Sequence, residues 1–171
     1  MTGEVEKMKE TVRMERCEKN SKDIKAIAFR KNTGGVDMAK MPKEVMEVIN
    51  DPNSAKVLAT AGTVLEINAV PKGSLRAIDE ERLAFADIFG DKTNKNLEAN
   101  KKVVALAFKM SPLAGYQIKG TFLGFQTSGE LFDRFAKEIK ERIKLNIKAV
   151  GTIKVDGVYA VAPPEPGKKI A

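Results

Sequence analysis

A chain of 171 residues, 43% hydrophobic and 31% charged, suits one domain with a core large enough to need no staples. Histidine is absent and Cys17 is the only cysteine, which removes the usual near-neutral general base, the Ser/His/Asp relay, an internal disulfide and the common zinc-ligand sets. The net charge of +7 comes from 30 basic and 23 acidic residues without a basic cluster, and with two Tyr and no Trp it argues against nucleic-acid binding.

In chain order, residues 1–20 are mostly charged, with Val5, Met8 and Val12 on one face if helical, a stripe too thin to fold alone. The opening Thr2-Gly3-Glu4-Val5-Glu6-Lys7 lacks the apolar core of a signal peptide, and no apolar run reaches the length of a membrane span. A cytoplasmic location is therefore expected. Asp23 to Phe29 has enough apolar residues to dock on something before Thr33-Gly34-Gly35 breaks it, so residues 1–40 read as an extension and 41–171 as the compact domain.

Pro42 to Asn50 reads as a short helix, with proline in its first turn and Asp51-Pro52 stopping it. Ala55–Thr60 and Val64–Val70 alternate as two arms of a hairpin about Ala61-Gly62-Thr63. Ser74–Ile78 and Arg82–Ile88 form a second hairpin around Asp79-Glu80-Glu81, and a short helix, Thr93–Asn100, follows with Leu97 as its anchor. Lys102–Met110 and Tyr116–Gln126 are strands, with Gly120 and Gly124 placed for bulges. Thr127 with Glu130 offers a capping box for a helix that buries Leu131, Phe132, Phe135, Ile139 and Ile143. Ile147–Val155 and Gly157–Ala162 return to strand ahead of a Pro/Gly/Lys tail.

The junction Phe85-Ala86-Asp87-Ile88-Phe89-Gly90-Asp91-Lys92-Thr93 carries the chemistry. Gly90 can take the positive φ of a sharp strand exit, Asp91 or Thr93 can cap the helix, and the amides that follow have no intrahelical acceptor. With the Lys92 ammonium and the Thr93 hydroxyl, these amides make an anion site. A capped helix with a solvated lysine is the plainer account of the same residues. With no histidine, redox or transfer chemistry would fall to a bound cofactor. Short strands without a βαβ rhythm argue for an antiparallel barrel, and no Gly-x-Gly-x-x-Gly supports a Rossmann clamp.

From about Pro42 to Ala162 the sequence resembles the FMN-binding split barrels related to pyridoxamine 5′-phosphate oxidase. The likeness rests on Leu58-Ala59-Thr60-Ala61-Gly62, Ile67-Asn68-Ala69-Val70-Pro71, Asp91-Lys92-Thr93 with Asn96-Leu97, and Gly115-Tyr116-Gln117-Ile118-Lys119-Gly120. It implies a mainly β fold, a six-stranded antiparallel Greek-key split barrel with a few flanking helices, and a homodimer with FMN in the interface. Lys92 and Thr93 match the pair that grips the FMN phosphate. Asn68, Ala69 and Val70 match the strand end lining the flavin, and Asp87, Ile88 and Phe89 match the strand whose backbone faces the ring. Thr60, Asn96 and Gln117 complete the set of cofactor contacts that the resemblance implies, while Lys119 could equally be a solvated barrel lysine.

The chain also departs from the family pattern. The oxidases themselves hold their substrate with an arginine and a histidine near the C-terminus, and this chain has no histidine, so that activity is rejected. The missing histidine also disfavours haem. Two functions stay open: a flavin-dependent oxidoreductase fed by a small molecule or a redox protein, and a non-enzymatic FMN carrier or electron-transfer module. Deazaflavin in place of FMN, or a barrel that has lost its cofactor, are the remaining variants. Ile24, Ile27 and Phe29 of the extension and the tail from Tyr159 to Ile170 are candidates for wrapping across a dimer interface.

Overall fold

The computed structural model describes residues 39–64 and 66–171. The expectations for residues 1–38, including the stripe through Val12, the segment to Phe29, the break at Thr33-Gly34-Gly35 and the wrapping role of Ile24, Ile27 and Phe29, lie outside them, as does Leu65.

Helix α1 (Lys43–Asn50) starts behind Pro42 and turns Val45, Val48 and Ile49 inward. The Asp51 N–H closes it on the Glu47 carbonyl, and Pro52 prevents continuation. Strand β1 (Ala55–Ala61) alternates, with Lys56, Leu58 and Thr60 buried. Strand β2 (Ile67–Pro71) pairs with it from Ala61↔Ile67 to Val57↔Pro71. The second arm of this hairpin is shorter than its sequence suggests. The Gly62 N–H reaches the Glu66 carbonyl at 2.9 Å, which makes a wide loop, and Val64 stands 82% exposed in it.

The two-residue β3 (Arg76–Ala77) pairs with β4 (Arg82–Asp87). The turn between them is fixed by the Asp79 carboxylate, which accepts from the Glu81 N–H at 2.9 Å and from Arg82 Nε at 2.7 Å. Helix α2 (Lys92–Asn100), β5 (Lys102–Met110), β6 (Leu113–Gln126), α3 (Glu130–Ile143) and β7 (Ala149–Ala160) follow. All strands join one antiparallel sheet in the order β2-β1-β5-β6-β7-β4-β3. That makes seven strands among the described residues where the resemblance implies six.

Both glycines mark irregularities in the β6–β7 pairing, the extra residue lying on β7 at Gly120 and on β6 at Gly124. The register against β7 shifts between Lys119 and Gly120 and again between Phe122 and Gly124, and Gly124 sits at φ 141°, a value that favours glycine. The first shift absorbs Asp156, so the two expected C-terminal strands are one strand, β7. The tail then folds back on its own strand, through the Val158 N–H to the Ala171 carbonyl at 2.7 Å and a bridge between Tyr159 and Lys169.

Strand β4 reads as a continuous apolar run because both of its faces are covered. Leu83 and Phe85 enter the core of the sheet with Leu58, Ile118, Phe122 and Ile153. Ala84 and Ala86 pack against Phe135 and Ile139 of α3. Only those two residues of the expected α3 stripe are fully buried; Leu131 and Phe132 are half-buried and Ile143 is 45% exposed. The capping box does not form. Glu130 is the first helical residue and Gly129 the N-cap, so Glu130 stands two positions short of the third helical position from which a capping-box carboxylate reaches back. Among the described residues no helix is long and apolar enough to cross a membrane, and no cluster of three or more metal-ligating side chains occurs.

Candidate functional site

The end of β2, the loop after it, the β4–α2 turn and the last turn of α3 surround a cavity of about 440 Å³, a size usual for small-molecule sites. Its floor is built from the turn. Asp87, 3% exposed, ends β4 and holds the turn from beneath: its carboxylate accepts from the Gly90 N–H and from Asn94 Nδ2, each at 2.8 Å. Gly90 is required for room rather than for a positive φ. It is not among the positive-φ glycines, and a Cβ there would run into Asp87 Oδ1 and Asn94 Oδ1.

The first turn of α2 is left open. Asp91 is its N-cap but makes no side-chain capping bond, because its carboxylate turns to Lys95 Nζ at 2.7 Å. That pairing holds the Asp91 carboxyl below the usual carboxylate range and raises Lys95. Thr93 does not cap either. It is 5% exposed and its Oγ1 accepts from Asn68 Nδ2 at 2.9 Å, which leaves its hydroxyl proton to donate into the cavity that both residues line. Two more amides bolt α2 to β1: Asn96 Nδ2 donates to Thr60 Oγ1 at 3.2 Å and Asn100 Nδ2 donates to the Ala61 carbonyl. With Leu97 fully buried beneath it, the helix is fixed with its open end toward the cavity.

Among the described residues three cations line this space, Lys72, Lys92 and Arg142, against one acid, Asp91, which Lys95 already occupies. None of the three forms an ion pair among the described residues. Burial holds the Lys72 ammonium below the usual lysine range, with the Asp87 carboxylate opposing that shift, and its Nζ lies 4.9 Å from the Phe85 ring centroid. An unpaired, partly desolvated cation gains most from an incoming anion. The open amides, the hydroxyl donor and the cations together fit a phosphate group, and the apolar wall of Val70, Ile88 and Phe89 fits a flat organic ring beside it.

The structure thus brings Asn68, Val70, Ile88, Phe89, Lys92 and Thr93 into one cavity wall. Ala69 is exposed on the opposite face of β2. Asp87 supports the turn from below, and Asn96 joins Thr60, which borders a separate apolar cavity of about 450 Å³ with Ile67, Val104, Lys119 and Tyr159. Gln117 is half-buried in β6 opposite Leu106 and Tyr159 and lines neither space. Sequence reasoning missed Lys72, Ser74 and Arg142. Lys72 and Ser74 follow Pro71 closely, and a polar, glycine-broken loop after a candidate lining strand was the signal for them. Arg142 has no local signal, since only the docking of α3 on β4 brings it to the cavity.

Residues 41–165 match the family model described as pyridoxamine 5′-phosphate oxidase. No curated protein matches the chain. Among solved structures, HupZ of Group A Streptococcus is 26% identical, with 75% of this chain and 99% of HupZ covered and a TM-score of 0.64. An FMN-binding protein from Syntrophomonas wolfei subsp. wolfei is 20% identical over 92% of this chain and 99% of its own, also with a TM-score of 0.64. General Stress Protein 26 from Bacillus anthracis str. Sterne is 17% identical over 71% and 93%, with a TM-score of 0.55. The family match over most of the length, on an antiparallel sheet shared with these neighbours, shows that the chain belongs to the pyridoxamine 5′-phosphate oxidase-like split-barrel family.

Proposed function

We propose that this protein is an FMN-binding flavoprotein, a cytoplasmic flavin-dependent oxidoreductase that holds the FMN phosphate in the cavity at the start of α2. The observation that carries this reading is the open first turn of α2, with the Thr93 hydroxyl and Lys92 beside it and Lys72 and Arg142 opposite. The split-barrel family and the Syntrophomonas wolfei FMN-binding protein support the choice of flavin. In this reading Lys92, Thr93 and the free amides bind the phosphate, Asn68 orients the Thr93 hydroxyl, and Asp87 positions the turn. Val70, Ile88 and Phe89 exclude water from one side of the ring. Bound FMN supplies hydride or electron transfer at its N5, and the protein's part is positioning and electrostatics. Oxidation of pyridoxamine phosphate is not proposed, because the chain contains no histidine to complete the substrate-holding pair of that activity.

One terminal phosphate suits a single anion site at the α2 turn, so FMN should bind more tightly than FAD. Titration with both flavins, followed by quenching of flavin fluorescence, checks this. Equal or tighter binding of FAD would count against the assignment of the phosphate to Lys92 and Thr93.

A two-fold dimer completes the proposal. Ile67 and Phe89 are each 78% exposed; Phe89 stands at the rim of the phosphate cavity and Ile67 at that of the neighbouring apolar one. An isologous partner would cover both. Two equivalent flavins should then bind per dimer, and dilution toward monomer should weaken FMN binding. Analytical ultracentrifugation with and without FMN decides it: a monomer that retains stoichiometric flavin at low concentration would refute the shared site.

A further inference from the structure

A second cleft, of about 330 Å³, lies behind the first and shares Gly73 and Arg142 with it. Lys56, Arg76, Arg134 and Arg142 line it, with Glu138 as the only acid among the described residues. Glu138 is already committed: Arg76 grips it with two hydrogen bonds of 2.5 Å, and the Arg76 guanidinium is held 4.4 Å from the Phe135 ring centroid. Lys56, Arg134 and Arg142 make no ion pair among the described residues.

Lys56 is what sets this cleft apart from an ordinary solvated basic surface. It occupies the inward phase of β1 with Leu58 and Thr60, and it is only 9% exposed. Its ammonium has no hydrogen-bond or ion-pair partner among the described residues. Burial lowers its affinity for the proton, and the nearby Arg76 and Arg142 lower it further, against the opposing pull of the Asp51 and Glu138 carboxylates. A largely buried lysine on a strand is costly unless something compensates its charge, and the Asp51 and Glu138 carboxylates, paired with Lys109 and Arg76, do so only in part.

We propose that this cleft is a second anion site, one that takes the phosphate group of a phosphorylated small molecule. Lys56, its stem packed in the sheet, is the point charge, Arg134 and Arg142 are the bidentate donors, and Arg76, locked by Glu138 and Phe135, forms a rigid wall. Because Gly73 and Arg142 border both clefts, a molecule anchored here has its other end beside the proposed flavin cavity. A role as the substrate's anchor therefore rests on the FMN reading, whereas the binding of phosphate does not.

Isothermal titration of the full chain with inorganic phosphate, at ionic strength held constant with sodium chloride, tests the proposal. The cofactor-free protein should take up two phosphates, and the FMN-saturated protein one. Lys56→Met, which keeps the buried stem and removes the charge, should lose the phosphate that FMN does not displace, with its affinity weakened about tenfold or more. Arg134→Gln, on the exposed face of α3, should weaken the same site and serves as the deciding variant if Lys56→Met does not fold. Wild-type phosphate binding in both variants, or uptake that chloride suppresses equally well, would overturn the proposal. Failure of the FMN reading has a different signature: FMN would then leave two phosphates bound to the wild type, while Lys56→Met would still lose one.

Discussion

Phe135→Ala should cost about 3–5 kcal/mol of folding stability, the usual loss for truncating a fully buried phenylalanine. Helix α3 places only two side chains fully in the interior, Phe135 and Ile139, and Phe135 meets the small residues Ala84 and Ala86 of β4. The methyl groups of those alanines cannot move in to fill the space, so the cavity stays. The same ring supports the Arg76 guanidinium at 4.4 Å, and α3 carries Arg142 into both clefts. Chemical denaturation should show the loss directly, together with weaker flavin binding as α3 loosens. A change below about 1 kcal/mol, within the range of a surface substitution, would mean that α3 is not held through this contact.

Asp87→Ala should remove about 2–4 kcal/mol, because it strands two polar groups at once. The Gly90 N–H and the Asn94 amide both point at the Asp87 carboxylate, and Asn94 Oδ1 is already buried without a partner among the described residues. The turn that presents the first amides of α2 would then lose its support. Asp87→Asn should recover part of the loss, since a side-chain carbonyl still accepts one of the two bonds. The two variants compared by urea unfolding and by FMN affinity provide the check; equal stability of Asp87→Ala and the wild type would show that the turn is held by something else.

What the sequence made legible follows from period and punctuation. Strand alternation in Ala55–Ala61, the proline and Asp-Pro limits of α1, and Gly124 in β6 are local signals, and each produced the element or bulge expected of it. The cluster of glycine, lysine and threonine at the α2 turn was legible, and the phosphate site proposed there starts from it. The reason for Gly90 was not, since the crowding comes from Asp87 and Asn94 folding over it rather than from its own φ. Capping failed for a similar reason: Asp91 and Glu130 carry suitable side chains, but one is drawn to Lys95 and the other sits two positions too early. Arg142 and Lys56 lay beyond any local reading. Arg142 depends on where α3 docks, and Lys56 has the character of an ordinary polar position until the phase of β1 turns it inward.

Whether an FMN phosphate sits at the start of α2 is tested most directly by the FMN dissociation constant of Lys92→Ala at low salt. Lys92 is exposed, forms no ion pair among the described residues, and lines the cavity beside Thr93, so its removal should leave the fold intact. A charge-assisted contact to phosphate contributes about 1.5–3 kcal/mol. FMN should therefore bind about ten- to hundredfold more weakly, with an unchanged melting temperature of the flavin-free protein. An unchanged dissociation constant would contradict the assignment and move the phosphate elsewhere.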